Sequence, residues 1–169
     1  EPAEAGGLTA EERLLRDTGR EFARREVAPT AVERDEAERF DRGIFRRMGE
    51  LGLTGAPLPE TVGGAGFSYL GWTLVKEELG AADMASAVTL SVHILSQLPV
   101  VAFGTAEQHA DWLPPMLSGQ ALGAFCLTEP HAGSDAAAIR TRSVRLDASG
   151  SELTSDAPAV DAAAYRLHG

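Results

Sequence analysis

No residue between Asp83 and Glu107 carries a formal charge, and this constrains the chain more than any other feature. An apolar helix of about 20 residues is long enough to cross a bilayer, so the run must either span one or lie in a helical core. Ser86, Thr89, Ser91, His93, Ser96 and Gln97 interrupt it, and Pro99 and Gly104 break it. Those interruptions weigh for a buried core helix and against a membrane span. Pro99 is expected to kink or divide the helix.

Helical signals surround this run. Thr9 followed by Glu12 forms a capping box, and Leu14, Leu15, Phe22 and Val27 then fall near one face. Ala28-Pro29 is expected to end that helix, because proline pushes its predecessor out of the helical region. Asp41 caps a second helix carrying Ile44, Phe45, Met48 and Leu51, with Gly52 as its stop. Pro57 to Gly66 is rich in Pro and Gly and reads as a loop. Tyr69 to Leu79 is helical up to Gly80, and Thr105 caps one more helix through Trp112 and Leu117 to Gly119.

The character then changes. Ala121 to Thr128 is short, apolar and bounded by Gly119 and Glu129-Pro130, which suits a buried strand. Val144, Leu146 and Leu153 alternate around Asp147 to Gly150 as in a hairpin, whereas Ser155 to Ala164 shows no packing pattern. The fold expected is mainly α, a helical domain followed by the first strands of a β-domain. Its parts are an all-α domain over 1–119, the start of the β-domain over 120–142 and a poorly ordered tail over 143–169.

Charge and cysteine usage narrow the function. Asp and Glu number 25 against 15 Lys and Arg, a net charge of −10, which argues against a nucleic-acid partner. Cys126 is the single cysteine, so no internal disulfide forms and a reducing cytoplasm is expected. Glu1 to Thr9 lacks the basic-then-apolar pattern of a secretory signal.

The chemistry concentrates in Cys126-Leu-Thr-Glu-Pro-His-Ala-Gly-Ser-Asp135. A strand end turning through Gly133, Ser134 and Asp135 offers backbone N–H groups and a hydroxyl, which suits an anionic or heteroaromatic ligand. A tight turn whose polar residues cap the next element has about even standing on residues alone. The segment resembles the first signature of the acyl-CoA dehydrogenase family at every position, and Ala138 fits the small residue that follows. Phe45 to Gly52, the Pro59 to Gly66 loop, Gly104 to Gln108 and Trp112-Leu-Pro114 resemble further family segments in the same order.

That resemblance implies an FAD-dependent dehydrogenase acting α,β to an acyl thioester, on CoA or on a carrier protein. It implies that the backbone of Phe125, Leu127 and Thr128 lies against the flavin ring and that Thr128 hydrogen-bonds it. Gly133 and Ser134 are implied to approach the ribityl-pyrophosphate region, with Ser134 also touching the substrate, and the helix from Met84 to line the acyl pocket. Glu129 matches a position that is not the family's base and is expected to cap the loop. His131 is expected to be merely exposed, Cys126 to be no nucleophile, and Asp135 to cap the loop. His93 is expected to line core or pocket, with no second ligand for a metal.

The likeness fades from about Ser143. The family's β-domain tryptophan segment and its C-terminal bundle, which carries the base in most members, have no counterpart, so no catalytic residue is assigned. The chain is therefore expected to be an incomplete, N-terminal part, inactive alone, working as a homo-oligomer or with a complementing chain. The alternative is a non-catalytic remnant, or a helical module for interaction or for acyl-thioester binding, without redox activity.

Overall fold

The computed structural model describes residues 7–157 and 162–168. It divides into two compact units, Glu1–Phe125 and Cys126–Gly169.

The first unit is helical. α1 (Ala10–Phe22) starts at Thr9, whose hydroxyl accepts the Glu12 N–H at 3.1 Å while the Glu12 carboxylate accepts the Thr9 N–H at 2.8 Å. The chain does not leave the helical region at Ala28-Pro29. It passes through a π turn at Ala23–Val27 and a 3₁₀ turn at Ala28–Thr30 into α2 (Ala31–Glu36). Pro29 falls in the first turn of this new helical segment, where its missing N–H would have had no partner.

α3 (Arg42–Glu50) is capped by the Asp41 carboxylate, which accepts the Gly43 and Ile44 N–H groups at 2.8 and 3.2 Å. Gly52, at φ 72°, supplies the left-handed residue just past its end. α4 (Tyr69–Ala82) is capped by Ser68, and α5 (Met84–Phe103) by Asp83. α6 (Ala106–Leu117) opens with a second capping box, Thr105 with Gln108. Pro99 does not divide α5, which runs unbroken through it.

α1 packs on α4, α4 on α5 and α5 on α6. Phe22, Val27, Phe45, Met48, Trp72, Val75, Leu79, Leu90 and Ile94 make one core. Fully burying a side chain of this size stabilises by roughly 1.5–3 kcal/mol. Among the described residues, α5 is the one helix long and apolar enough to cross a membrane. It instead buries Ala87, Leu90, His93, Ile94 and Gln97 within the bundle. At the start of α5, the buried Arg34 guanidinium meets the Asp83 carboxylate at 2.8 Å and also donates to the Val27 carbonyl.

The second unit differs from expectation in two places. Ala121 to Thr128, which runs into this unit, forms no ladder strand, and Leu122, Phe125 and Leu127 are exposed. No described strand lies alongside to cover it, so its apolar side chains stay open. Within the tail, expected to be poorly ordered, the described residues include β1 (Arg142–Leu146) and β2 (Ala164–His168), antiparallel with Val144 opposite Arg166. The expected turn at Asp147 to Gly150 is present, with Asp147 N–H donating to the Ser151 carbonyl at 2.9 Å. The part of that expectation covering 158–161 and 169 lies outside the described residues.

Candidate functional site

The signature loop is built around one carboxylate. Glu129 and Ala132 exchange both backbone hydrogen bonds, at 3.0 and 3.1 Å, closing a tight turn over Pro130-His131. The Glu129 carboxylate reaches across the unit and accepts the Arg140 and Thr141 N–H groups at 2.9 and 2.8 Å. His131 Nε2 stands 3.1 Å from the same group, so this histidine, though exposed, is a partner of Glu129. Hydrogen bonding from Thr141, then from the Arg140 backbone, holds the carboxyl down to about 2. A carboxylate so engaged is a poor proton acceptor near neutral pH. Glu129 therefore clamps the loop.

Asp135 accepts the Ala137 N–H at 3.2 Å and opens a 3₁₀ turn at Ala136–Ala138. Leu127 and Thr128 precede the Glu129 turn, and Gly133 and Ser134 follow it, all four exposed. A Cβ built on Gly133 would meet nothing within 4 Å. Phe125 is the last residue of the first unit and is 39% exposed. Cys126 is an exposed free thiol. No group of three metal-ligating side chains occurs among the described residues.

In the first unit the structure gives partners to two polar residues of the apolar run, of which His93 was expected to line core or pocket. His93 and Gln97, one turn apart on α5, are fully buried. Gln97 donates to the Thr54 carbonyl at 2.7 Å, and Thr54 donates to the Leu117 carbonyl at 2.5 Å. His93 Nε2 meets the Met116 carbonyl at 3.1 Å, and its Nδ1 accepts the Gly123 N–H at 3.0 Å. The signal available was their i, i+4 spacing inside a run otherwise dominated by apolar residues. Polar side chains on the buried face of such a helix have to find partners.

FAD, the group that the resemblance implies, is compatible with this loop on chemical grounds. The chain from Phe125 to Thr128 has no ladder partner, leaving backbone donors and acceptors for a planar heteroaromatic ring, and Leu127 is open to pack on one. Gly133 leaves room for close approach, and Ser134 adds an exposed hydroxyl beside it.

Residues 9–120 match the model of the acyl-CoA dehydrogenase N-terminal domain. An acyl-CoA dehydrogenase of Bacillus subtilis (strain 168) is 40% identical over 139 residues, covering 82% of this chain and 37% of that protein. The structure of butyryl-CoA dehydrogenase from Megasphaera elsdenii matches with a TM-score of 0.73 and 36% identity, over 83% of this chain and 38% of its own. An acyl-CoA dehydrogenase from Bacillus anthracis, solved in complex with FAD, matches with a TM-score of 0.74 and 36% identity. That match covers 85% of this chain and 24% of the other. The chain thus spans less than half the length of each of these relatives. With the helical domain matched over most of its length and the loop in the same chain, this protein belongs to the acyl-CoA dehydrogenase family.

Proposed function

We propose that this chain supplies the helical wall and the flavin-facing loop of an FAD-dependent dehydrogenase that introduces an α,β double bond into an acyl thioester. The observation that carries the proposal is the clamped loop. Glu129 ties the signature turn to Arg140 and Thr141, so Thr128, Gly133 and Ser134 are displayed on a fixed backbone. FAD, when bound, supplies the redox chemistry, taking up the hydride lost from the β-carbon. Within this chain, the backbone of Phe125, Leu127 and Thr128 would hold the ring and the Thr128 hydroxyl would hydrogen-bond it. Gly133 and Ser134 would take the ribityl-pyrophosphate side, with Ser134 also near the thioester.

No residue of this chain is assigned the proton abstraction. Glu129, the carboxylate nearest the loop, is already committed to two backbone amides and to His131. The base would come from a homo-oligomer partner or a complementing chain, and cytoplasmic fatty acid metabolism is the setting this reading favours. A second reading, a helical module without redox activity, is favoured by the exposed apolar side chains Met84, Val88 and Leu95 along α5.

Visible absorbance of the purified chain, with and without added FAD and then butyryl-CoA, separates the two. A bound flavin whose spectrum is perturbed by the thioester supports the dehydrogenase reading. A colourless chain that leaves the FAD spectrum unchanged rejects it in favour of the module.

A further inference from the structure

His93 sits at 0% exposure among apolar residues, and a ring so placed is costly unless both nitrogens are satisfied. Its Nε2 faces a carbonyl, that of Met116 near the end of α6, at 3.1 Å. Its Nδ1 faces an N–H, that of Gly123, at 3.0 Å. A carbonyl only accepts and an amide N–H only donates. The geometry therefore admits one form of the ring, with the proton on Nε2 and the lone pair on Nδ1.

Among the described residues, the groups that meet the ring carry no charge. α3 presents the Phe45 ring, perpendicular at 89° with centroids 4.9 Å apart. α6 presents the Met116 carbonyl, and the chain after it presents the Gly123 amide. On α5 itself, Ser96 and Gln97 both donate to the His93 carbonyl, not to the ring. None of these groups is charged or titrates near neutral pH.

A second observation concerns the backbone that the ring holds. A Cβ on Gly123 would stand 1.9 Å from Ser96 Oγ and 2.7 Å from Met116 Cε. The Gly123 backbone is thus pressed directly onto α5 and α6, where His93 meets it. Two residues further on is Phe125.

We propose that His93 is a positioning residue, whose neutral Nε2-protonated ring latches the backbone of residues 121–125 onto α5 and α6, and that a proton on Nδ1 opens the latch. A protonated Nδ1 would set donor against donor at Gly123, leaving only the Met116 bond. Burial holds the imidazole below its ordinary 6.5, with the Met116 carbonyl acting in the opposite sense. The latch is therefore closed at neutral pH and opens only on acidification below 6.5. That the latched segment leads to a flavin rests on the function proposed above; the latch itself does not.

The test uses the intact ¹⁵N-labelled chain. Imidazole nitrogen spectra at neutral pH should show Nε2 protonated and Nδ1 bare. On titration, Gly123 amide protection, corrected for intrinsic exchange, should fall with the midpoint of the His93 ring, while amides in the middle of α4 stay protected. His93→Phe should speed Gly123 exchange by at least about tenfold, the loss of one buried hydrogen bond. His93→Asn, which returns an acceptor near the position of Nδ1, should restore protection and abolish its pH dependence.

An Nδ1-protonated ring, or Gly123 protection that ignores the His93 titration, overturns the proposal. Where His93→Phe fails to fold, the wild-type titration decides alone. A chain that ignores FAD but shows the coupled titration sinks the flavin reading and leaves the latch standing. A chain that binds FAD with Gly123 uncoupled from His93 does the reverse.

Discussion

Replacing Glu129 by Gln keeps the side chain's length but removes its charge and one of its two acceptors. Charge-assisted hydrogen bonds are about twice as strong as neutral ones, so Glu129→Gln should release the tie to Arg140 and Thr141. We expect those two amides to exchange about tenfold faster, while amides in α4 are unchanged. The same group makes an acid-side prediction. Its pKa falls from an ordinary 4.5 to about 2 on folding. The clamp's contribution is therefore complete above 4.5 and is lost as pH falls through about 2. Amide chemical shifts of Arg140 and Thr141 should follow that low midpoint, and a midpoint near 4.5 would show that the clamp is not formed. The capping role of Glu129 was legible in the sequence from its place in the motif. Its partners were not, because Arg140 and Thr141 lie 11 and 12 residues away across a turn.

At the scale of elements, two substitutions weigh backbone against packing. Gly49 lies inside α3, where alanine would ordinarily gain about 1 kcal/mol of helix propensity. Yet a Cβ there would meet the Ser118 carbonyl oxygen at 2.3 Å, and backbone cannot rotate aside. Overpacking of this kind costs roughly 1–3 kcal/mol or more, so Gly49→Ala should lower stability in a denaturant titration despite the propensity gain. Pro99 presents the opposite case. It is exposed within an unbroken helix, and its missing N–H leaves the Leu95 carbonyl without its helical donor. Pro99→Ala should raise stability by about 1–3 kcal/mol, seen as a higher thermal midpoint. A lower midpoint would mean that the ring's packing outweighs the helix term. Helix identity was readable here from caps and periodicity, with Thr9, Asp41 and Thr105 each opening the helix expected of it. α2 was missed because a proline that ends one helix is equally at home in the first turn of the next.

For the whole molecule, the two units should differ in how they open. α4 and α5 carry the core residues Trp72, Val75, Leu79, Leu90 and Ile94, while β1 pairs with a β2 exposed along its full length. A two-stranded ladder is marginal by itself. Amides of α4 and α5 should therefore exchange only through global unfolding, and those of β1 and β2 through local opening, resolved as two denaturant dependences of hydrogen exchange. A single shared dependence would show one cooperative body instead. The amino-acid sequence by itself determined the helical class, the helix starts and the position of the signature loop, because caps, periodicity and glycine punctuation act over a few residues. Tertiary structure decided what depends on groups distant in the chain. It decided that Ala121 to Thr128 forms no ladder strand, since a strand exists only where another lies beside it. It tied residues 154–157 back to β1 through the Arg145 guanidinium, which collects the carbonyls of Thr154, Ser155 and Ala157, an arrangement no hydrophobic pattern announces. And it chose the tautomer of His93, since a ring nitrogen donates or accepts according to what another part of the fold places opposite it.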